Sequence, residues 1–150
     1  MTGSDRIEKQ LLLHAPRSRV WRALTDAEEF GSWFGMKLDH QFEAGRSVTG
    51  RVTTPGYEHL AVEFMVERVD PEEYFSLRWH PYAIDPATDY SHEPTTLVEF
   101  RLADAEDGTI LTVVESGFDR IPSSRRAEAF RMNDEGWSIQ VENVRRYVEE

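Results

Sequence analysis

The sequence of 150 residues predicts an α+β fold, in which an antiparallel sheet of six to seven strands is covered by one long C-terminal helix. Two patterns carry this prediction. Apolar and polar residues alternate over most of residues 37–118, which is typical of antiparallel strands with one face in water. In residues 122–150, apolar residues recur every three or four positions, which indicates a buried stripe on a helix. Because a sheet must cover its apolar face, we expect the long helix to pack on it and to leave a cavity between them.

The first quarter of the chain predicts one strand and two short helices. Residues 6–14 alternate as a strand does. Val20 and Leu24 then follow at helical spacing, and Thr25-Asp26 is a suitable N-cap for a second short helix. Gly35 is placed to end that helix, because glycine readily adopts the left-handed conformation of a C-terminal cap.

Six further strands are expected at residues 37–42, 47–52, 60–67, 75–80, 96–102 and 111–115. The irregular residues 81–94 are longer than a hairpin needs, and we interpret them as a lid over the cavity, a dimer contact or a surface excursion. Ser123-Ser124 is the expected cap of the last helix, and Gly136 inside it suggests a bend or a close approach. The stripe of that helix is expected to comprise Ala127, Phe130, Asp134, Trp137, Val141, Val144 and Val148.

The amino-acid composition argues against several classes of partner and cofactor. There are 17 Lys and Arg against 28 Asp and Glu, a formal net charge of −11, which argues against nucleic-acid and anionic-membrane partners. The absence of cysteine excludes disulfides and thiolate metal sites. The histidines are scattered and no cofactor-binding motif is present, so neither a metal nor a cofactor is expected. With no signal peptide or membrane-spanning run in the sequence, we expect one cytoplasmic domain over residues 1–150.

Four segments, residues 14–34, 66–79, 95–118 and 133–137, together resemble the bacterial proteins related to the activator of the heat-shock-protein-90 ATPase. That family lies within the START and birch-pollen-allergen (SRPBCC) superfamily. The resemblance implies the helix-grip fold, a curved sheet around a long C-terminal helix with a cavity between them. The superfamily includes lipid carriers, hydrophobic-ligand sensors, polyketide cyclases and co-chaperone domains, so fold alone does not set the chemistry. The co-chaperone function ranks lower, because 150 residues leave no room for the extra N-terminal domain of the eukaryotic members.

Three polar residues are candidates for the cavity interior. Period two places His40 on the same face as its apolar neighbours, and it does the same for Glu115, while Asp134 falls on the stripe of the last helix. A histidine and two carboxylates would suit a general acid–base site or a polar ligand anchor. The alternative is that Glu115 reaches solvent near a strand end and that Asp134 lies at the surface.

Aromatic residues supply the candidate cavity wall, although each is also a natural core residue. They are Trp33, Phe34, Phe64, Trp79, Phe100, Phe118, Phe130 and Trp137. Trp33 and Phe34 are the preferred wall residues. The cluster Arg120, Arg125, Arg126 and Arg131 is interpreted either as ordinary surface pairing or as a site for an anionic head group at the cavity entrance.

The sequence therefore predicts a protein, monomeric or homodimeric, that binds a small, largely hydrophobic or amphipathic molecule in the cavity. Two alternatives remain at this point. One is a cyclase- or isomerase-type enzyme that uses the cavity acid–base residues, and the other is a chaperone-linked interaction module.

Overall fold

The computed structural model describes residues 5–85 and 87–150, and within them seven antiparallel strands form one sheet in the order β1-β7-β6-β5-β4-β3-β2. The strands are β1 (Arg6–Leu13), β2 (Met36–Leu38), β3 (Ser47–Val52), β4 (Ala61–Asp70), β5 (Tyr74–Trp79), β6 (Thr96–Ala105) and β7 (Gly108–Ser116). The helices are α1 (Arg17–Thr25), α2 (Ala27–Phe34) and α3 (Arg126–Glu149), with a short 3₁₀ turn at Phe118–Arg120. This order confirms the predicted helix-grip architecture.

Local capping explains the elbow formed by α1 and α2. Asp26 ends α1 and begins α2, and its side chain accepts a hydrogen bond from the Glu29 backbone N–H at 3.0 Å. Gly35 ends α2 in the left-handed conformation, with φ +86°. Both caps were predicted. The elbow is closed by the Trp33 indole, which donates to the Ala23 carbonyl at 2.7 Å.

The core lies between the inner face of the sheet and the three helices. Alternation puts Phe64, Phe75 and Phe100 on that face, all fully buried, and Trp137 of α3 packs edge-to-face on Phe100. Most of the core consists of aromatic and branched residues drawn from every strand except β2. No helix in the described part of the chain is long and apolar enough to cross a membrane.

The predicted strand over residues 37–42 is too long. β2 ends at Leu38, because the Asp39 carboxylate accepts from the Thr49 backbone N–H at 3.0 Å and closes the pairing with β3. The chain then leaves the sheet, and Gln41 turns back to accept from the backbone N–H of Ala27 at 2.8 Å. His40 is consequently exposed, so its expected inward orientation is wrong.

The last helix differs from the prediction at its start. Ser123 and Ser124 lie in a turn, and α3 begins only after Arg125. The predicted stripe is right over the second half of the helix, where Trp137, Val144 and Val148 are buried. Its first half is wrong at Ala127, which is exposed, and at Asp134, which is half-exposed. Asp134 lies at the border of the stripe, and its carboxylate pairs with Lys9 of β1 at 2.8 Å.

Gly136 does not mark a break in α3 or a close approach. α3 continues through it without interruption, and a Cβ built there would meet no atom within 4 Å. The missing side chain leaves open space beside the helix. It also has a cost in stability, because a glycine inside a helix destabilises it by about 1 kcal/mol relative to alanine.

Candidate functional site

A pocket of about 380 Å³ opens beside α3, between the ends of α2 and β5 and residues 81–94. We call it the aromatic pocket. Its aromatic lining is Phe34 at the end of α2, Trp79 at the end of β5, and Tyr82 and Tyr90 from the following loop. Asn133 of α3 also lines it, and the remaining apolar wall is formed by Met36, Val52, Leu60, Ala61, Val62, Ala83 and Ile84.

A second opening of about 150 Å³ adjoins it along α3, and we call it the helix slot. The slot shares Phe34, Trp79 and Asn133 with the aromatic pocket, and Trp137 and Gly136 belong to its lining. The missing side chain of Gly136 contributes part of this space. The pocket and the slot are therefore neighbouring openings that border the same residues.

Three of those rings contact one another. Trp79 and Trp137 stack with centroids 5.8 Å apart and planes inclined by 26°. Phe34 lies 6.1 Å from the Trp79 ring and 6.2 Å from the Trp137 ring. Because each ring comes from a different element, their mutual packing holds α2, β5 and α3 in place around the site.

Glu115 lies directly beneath these rings and is fully buried. Its Oε2 accepts from Trp79 Nε1 at 2.7 Å and from Thr96 Oγ1 at 2.6 Å. Its Oε1 accepts from Trp137 Nε1 at 2.8 Å, and Asn133 Nδ2 donates to Oε1 at 3.0 Å and to Oε2 at 3.1 Å. The buried orientation expected from period two is confirmed, and the alternative of a solvent-exposed carboxylate is wrong.

The electrostatics of Glu115 combine two opposing effects. Removal from water raises the pKa of this carboxyl group above its ordinary value, because burial disfavours the charged form. The hydrogen bonds from Thr96, Trp79, Trp137 and Asn133 oppose that rise, since each donor stabilises the carboxylate. The indole N–H groups can only donate, so each of the two Glu115 oxygens must act as an acceptor.

The structure separates the three predicted acid–base residues. Glu115 is under the rings, Asp134 pairs with Lys9 outside the stripe, and His40 lines a wide surface groove of about 630 Å³ with polar neighbours such as Glu28 and Lys37. They do not share a site, so the hypothesis of a common acid–base centre formed by His40, Glu115 and Asp134 is wrong. Among the described residues, no three His, Asp or Glu side chains are grouped so that they could hold a metal ion.

The predicted wall aromatics divide into three groups. Phe34, Trp79 and Trp137 line the site, as described above. Phe64 and Phe100 are buried in the core behind it, where they contact Trp79 and Trp137 respectively. The others lie away from the site: Trp33 in the elbow, and Phe118 and Phe130 as an edge-to-face pair with centroids 5.1 Å apart. The preference for Trp33 as a wall residue is therefore wrong, because its indole closes the elbow.

Asn133 and Thr96 are two site residues that the sequence patterns did not predict. Asn133 stands four residues before Trp137 and so lies on the same helix face, which the helical period alone could have shown. Thr96 begins the alternating face that continues with Val98 and Phe100, and it is fully buried. Both are polar residues on faces that were treated as apolar.

Arg125 holds residues 81–94 against the site. Its Nη1 donates to the Pro81 carbonyl at 2.8 Å, and its Nη2 and Nε donate to Glu93 Oε1 at 2.6 and 2.9 Å. The guanidinium also lies over the Tyr90 ring, 4.8 Å from its centroid. Both ends of the loop are thus tied to the start of α3. Pro86, inside the predicted lid segment, lies outside the described residues.

The predicted arginine cluster does not converge on one anion site in the described structure. Arg125 is engaged by the loop, Arg126 Nε donates to the Ile121 carbonyl at 3.0 Å, and Arg131 pairs with Glu135 at 3.9 Å. Arg120 lines a separate small opening near Asp119. Arg125, Arg126 and Arg131 therefore each make a different local contact, and Arg120 lies at a different opening.

The chain is similar to a known protein family and to several solved structures. A family model described as "Activator of Hsp90 ATPase homolog 1-like protein" matches residues 14–149. No protein with a curated description matches the chain.

Solved structures are similar over nearly the whole chain. The crystal structure of DynU16, a protein of the dynemicin biosynthetic locus, is 26% identical with a TM-score of 0.74, and covers 97% of this chain and 47% of its own. This chain thus spans about half the length of DynU16. Protein MLL2253 from Mesorhizobium loti is 25% identical with a TM-score of 0.74, over 95% of both chains. The Aha1 dimer from Colwellia psychrerythraea, at 14% identity, a TM-score of 0.71 and 96% of both chains, shares the fold.

Proposed function

The chain belongs to the family of activator of Hsp90 ATPase homolog 1-like proteins, and from this premise we propose that it binds a small, largely hydrophobic ligand in the aromatic pocket and the helix slot. The observation that carries the proposal is a pair of neighbouring openings with aromatic and aliphatic walls, which share Asn133, a polar side chain held by the buried Glu115. Concave apolar sites with a few placed polar groups are the usual form of small-molecule sites.

The shape of the site favours a flat ligand. Phe34, Trp79 and Trp137 present ring faces and edges, and a planar apolar molecule would gain both buried area and aromatic contacts there. The volume of about 380 Å³ is near the lower end of the range for small-molecule pockets, roughly 300–1,000 Å³, so the ligand would be of one to three fused rings rather than a long lipid.

The walls are also preorganised. The indoles of Trp79 and Trp137 are held through their N–H groups by Glu115, and the loop residues Tyr82 and Tyr90 are held through Arg125. Binding would therefore immobilise few side chains that are free beforehand, which reduces the entropy cost of association.

The acid–base enzyme alternative has no comparable support. Glu115 lies beneath the rings with its oxygens engaged, and His40 and Asp134 lie elsewhere. A general acid or base must come within hydrogen-bond reach of the reacting group, and in this geometry the rings and Asn133 stand between Glu115 and any ligand.

The test fills the helix slot from its open side. In Gly136→Met the new side chain would occupy the space beside Trp137, whereas in Ser138→Met it would point to solvent from the exposed face of α3. The probe is N-phenyl-1-naphthylamine, an uncharged molecule whose fluorescence rises in apolar surroundings. We expect saturable 1:1 binding to the wild type and to Ser138→Met, and at least tenfold weaker binding to Gly136→Met.

Native mass spectrometry of the purified protein complements this titration, because a ligand retained from the expression host would appear as a defined added mass. Unchanged probe affinity in a folded Gly136→Met variant, or no saturable binding to the wild type, would overturn the proposal.

A further inference from the structure

We propose that this site selects ligands that carry a hydrogen-bond donor, a hydroxyl or an N–H group attached to the ring system, because Glu115 orients the Asn133 amide with its carbonyl oxygen towards the ligand. The inference rests on the proposed function and adds to it the chemical class of the ligand. Asn133 is thereby a specificity-determining residue, and Glu115 a positioning residue that acts through it.

The orientation of the amide follows from its partner. Asn133 Nδ2 donates to both oxygens of Glu115, at 3.0 and 3.1 Å. The same oxygens receive the indole N–H groups of Trp79 and Trp137, which have no capacity to accept. The carboxylate is therefore surrounded by donors, and only the NH₂ end of the amide can face it favourably.

The carbonyl end of the amide is left free for a ligand. Within residues 5–85 and 87–150, Asn133 Oδ1 has no hydrogen-bond partner in the structure, although Nδ2 has two. This oxygen is nevertheless accessible. Among the same residues, Arg145 Nε is the side-chain polar atom that is both buried and without a partner, so an unpartnered Asn133 Oδ1 is not buried. Asn133 lines both the aromatic pocket and the helix slot, and with Nδ2 turned to Glu115 beneath the rings, Oδ1 is the amide atom that the proposal assigns to the ligand.

Other polar groups at the site are engaged or lie at its edge. His80 Nε2 is paired with the Glu93 carbonyl at 3.0 Å, and the Tyr90 hydroxyl accepts from the Asp85 backbone N–H at 3.2 Å. Glu63 lines the pocket but is exposed on β4. Tyr82 also lines the pocket, but its hydroxyl can donate as well as accept, whereas Asn133 Oδ1 can only accept and therefore requires a donor from the ligand.

A ligand without a donor would cover this oxygen and leave it unpaired. A buried acceptor that loses its hydrogen bonds to water costs about 1–3 kcal/mol, which corresponds to roughly 5- to 150-fold in affinity. Sites that hydrogen-bond a ligand hydroxyl discriminate strongly against analogues that lack it, for the same reason. An acceptor-only ligand of the same shape would place an acceptor atom against Oδ1, which is itself an acceptor, and the two would repel each other.

The experiment compares three probes that share one ring system: naphthalene, 2-naphthol and 2-methoxynaphthalene. Each displaces N-phenyl-1-naphthylamine from the wild-type protein at neutral pH, and the dissociation constants are confirmed by calorimetry. We expect 2-naphthol to bind at least tenfold more tightly than 2-methoxynaphthalene. Hydrophobicity alone predicts the opposite order, because the methyl ether is the more apolar molecule.

Asn133→Leu removes the carbonyl while keeping a side chain of similar size, and Asn143→Leu is the matched control two to three turns along α3, where Asn143 pairs with Gln140. We expect the preference for 2-naphthol to disappear in Asn133→Leu, with naphthalene still bound, and to persist in Asn143→Leu. A merely structural contribution of Asn133 would lower the affinity for all three probes and leave their ratio unchanged.

The failures are distinguishable. Equal binding of 2-naphthol and 2-methoxynaphthalene to the wild type overturns this inference and leaves the proposed function standing. A persistent preference in a folded Asn133→Leu variant also overturns it. If N-phenyl-1-naphthylamine binds saturably but 2-naphthol does not displace it, this inference is overturned and the proposed function stands; if N-phenyl-1-naphthylamine itself does not bind saturably, both fall. The wild-type comparison decides the matter even if Asn133→Leu does not fold.

Discussion

Trp79 and Trp137 stack on each other and donate their indole N–H groups to different oxygens of one buried carboxylate, at 2.7 and 2.8 Å. Trp79 ends β5 and Trp137 lies in the middle of α3, while the acceptor, Glu115, belongs to β7. The carboxylate therefore connects α3 to the sheet directly beneath the helix slot. An apolar residue at this position could pack there but could not hold both indoles in one orientation.

Removing the Glu115 side chain should destabilise the protein substantially. Glu115→Ala leaves two indole N–H groups, an amide and a hydroxyl without their acceptor, and we expect a loss of about 3 kcal/mol in the free energy of unfolding. Glu115→Gln should cost less, about 2 kcal/mol, because it keeps one oxygen but turns an N–H towards an indole N–H. Glu135→Ala, at an exposed position of α3, is the control. Urea denaturation measures all three, and a fully stable Glu115→Ala variant would contradict the assigned role.

The stability of the wild type should depend on pH through Glu115. Its pKa in the folded protein is raised above 4.5 by burial, so between pH 4.5 and the folded-state pKa the native state holds more protons than the unfolded state. The free energy of unfolding contributed by this group therefore falls as pH rises through that window, by at most about 1.4 kcal/mol per pH unit, and is constant above it.

Glu115→Gln, which does not titrate at this position, is the reference for that measurement. The difference in unfolding free energy between the wild type and this variant, followed by urea denaturation from pH 4 to 8, should decline with pH and then level off. A ¹³C NMR titration of the Glu115 carboxyl gives the pKa directly. A difference that increases with pH over the same range would contradict the raised pKa.

The parts of the fold that were predictable are those set by local chemistry. Asp26 and Gly35 cap helices through bonds to residues three or four positions away, and the alternation of strands depends only on the next residue but one. Glu115 was placed inside for the same reason, because it continues the face of Leu111 and Val113. His40 was misplaced because strand β2 ends where Asp39 bonds to Thr49, ten residues along the chain.

The site itself was predictable only in part, because its members come from elements far apart in sequence. Phe34, Trp79 and Trp137 were found as aromatics, but nothing local distinguishes them from Phe118 or Trp33, which are equally apolar. What separates the two groups is which rings border an opening, and that depends on how α2, β5 and α3 meet.

Two helix glycines should respond to alanine in opposite directions. A Cβ at Gly136 meets no atom within 4 Å, so Gly136→Ala should raise the free energy of unfolding by about 1 kcal/mol through helix propensity. A Cβ at Gly31 would lie about 2.2 Å from the backbone carbonyl oxygen of Met36, so Gly31→Ala must displace β2 and should lower it by about 2 kcal/mol. Thermal and urea denaturation of the two variants measure the contrast. A Gly31→Ala variant as stable as the wild type would show that the approach of α2 and β2 is not tight, and a destabilised Gly136→Ala variant would contradict the open space at Gly136.

Arg125 should control the mobility of residues 81–94. Its guanidinium joins the Pro81 carbonyl to Glu93 and covers the Tyr90 ring, and a charge-assisted pair of this kind contributes about 2 kcal/mol. In Arg125→Ala we expect amide hydrogen exchange at Asp85 and Glu93, whose N–H groups bond to Tyr90, to accelerate roughly tenfold or more, while exchange in β6 and β7 is unchanged. Arg125→Lys should give an intermediate result, because an ammonium group cannot make the same set of planar contacts.

Arg131→Ala, which removes only an exposed pair with Glu135, is the control and should leave amide exchange in the loop as slow as in the wild type. Equal exchange rates in Arg125→Ala and Arg131→Ala would mean that the loop is held by its apolar contacts with the pocket and not by the arginine.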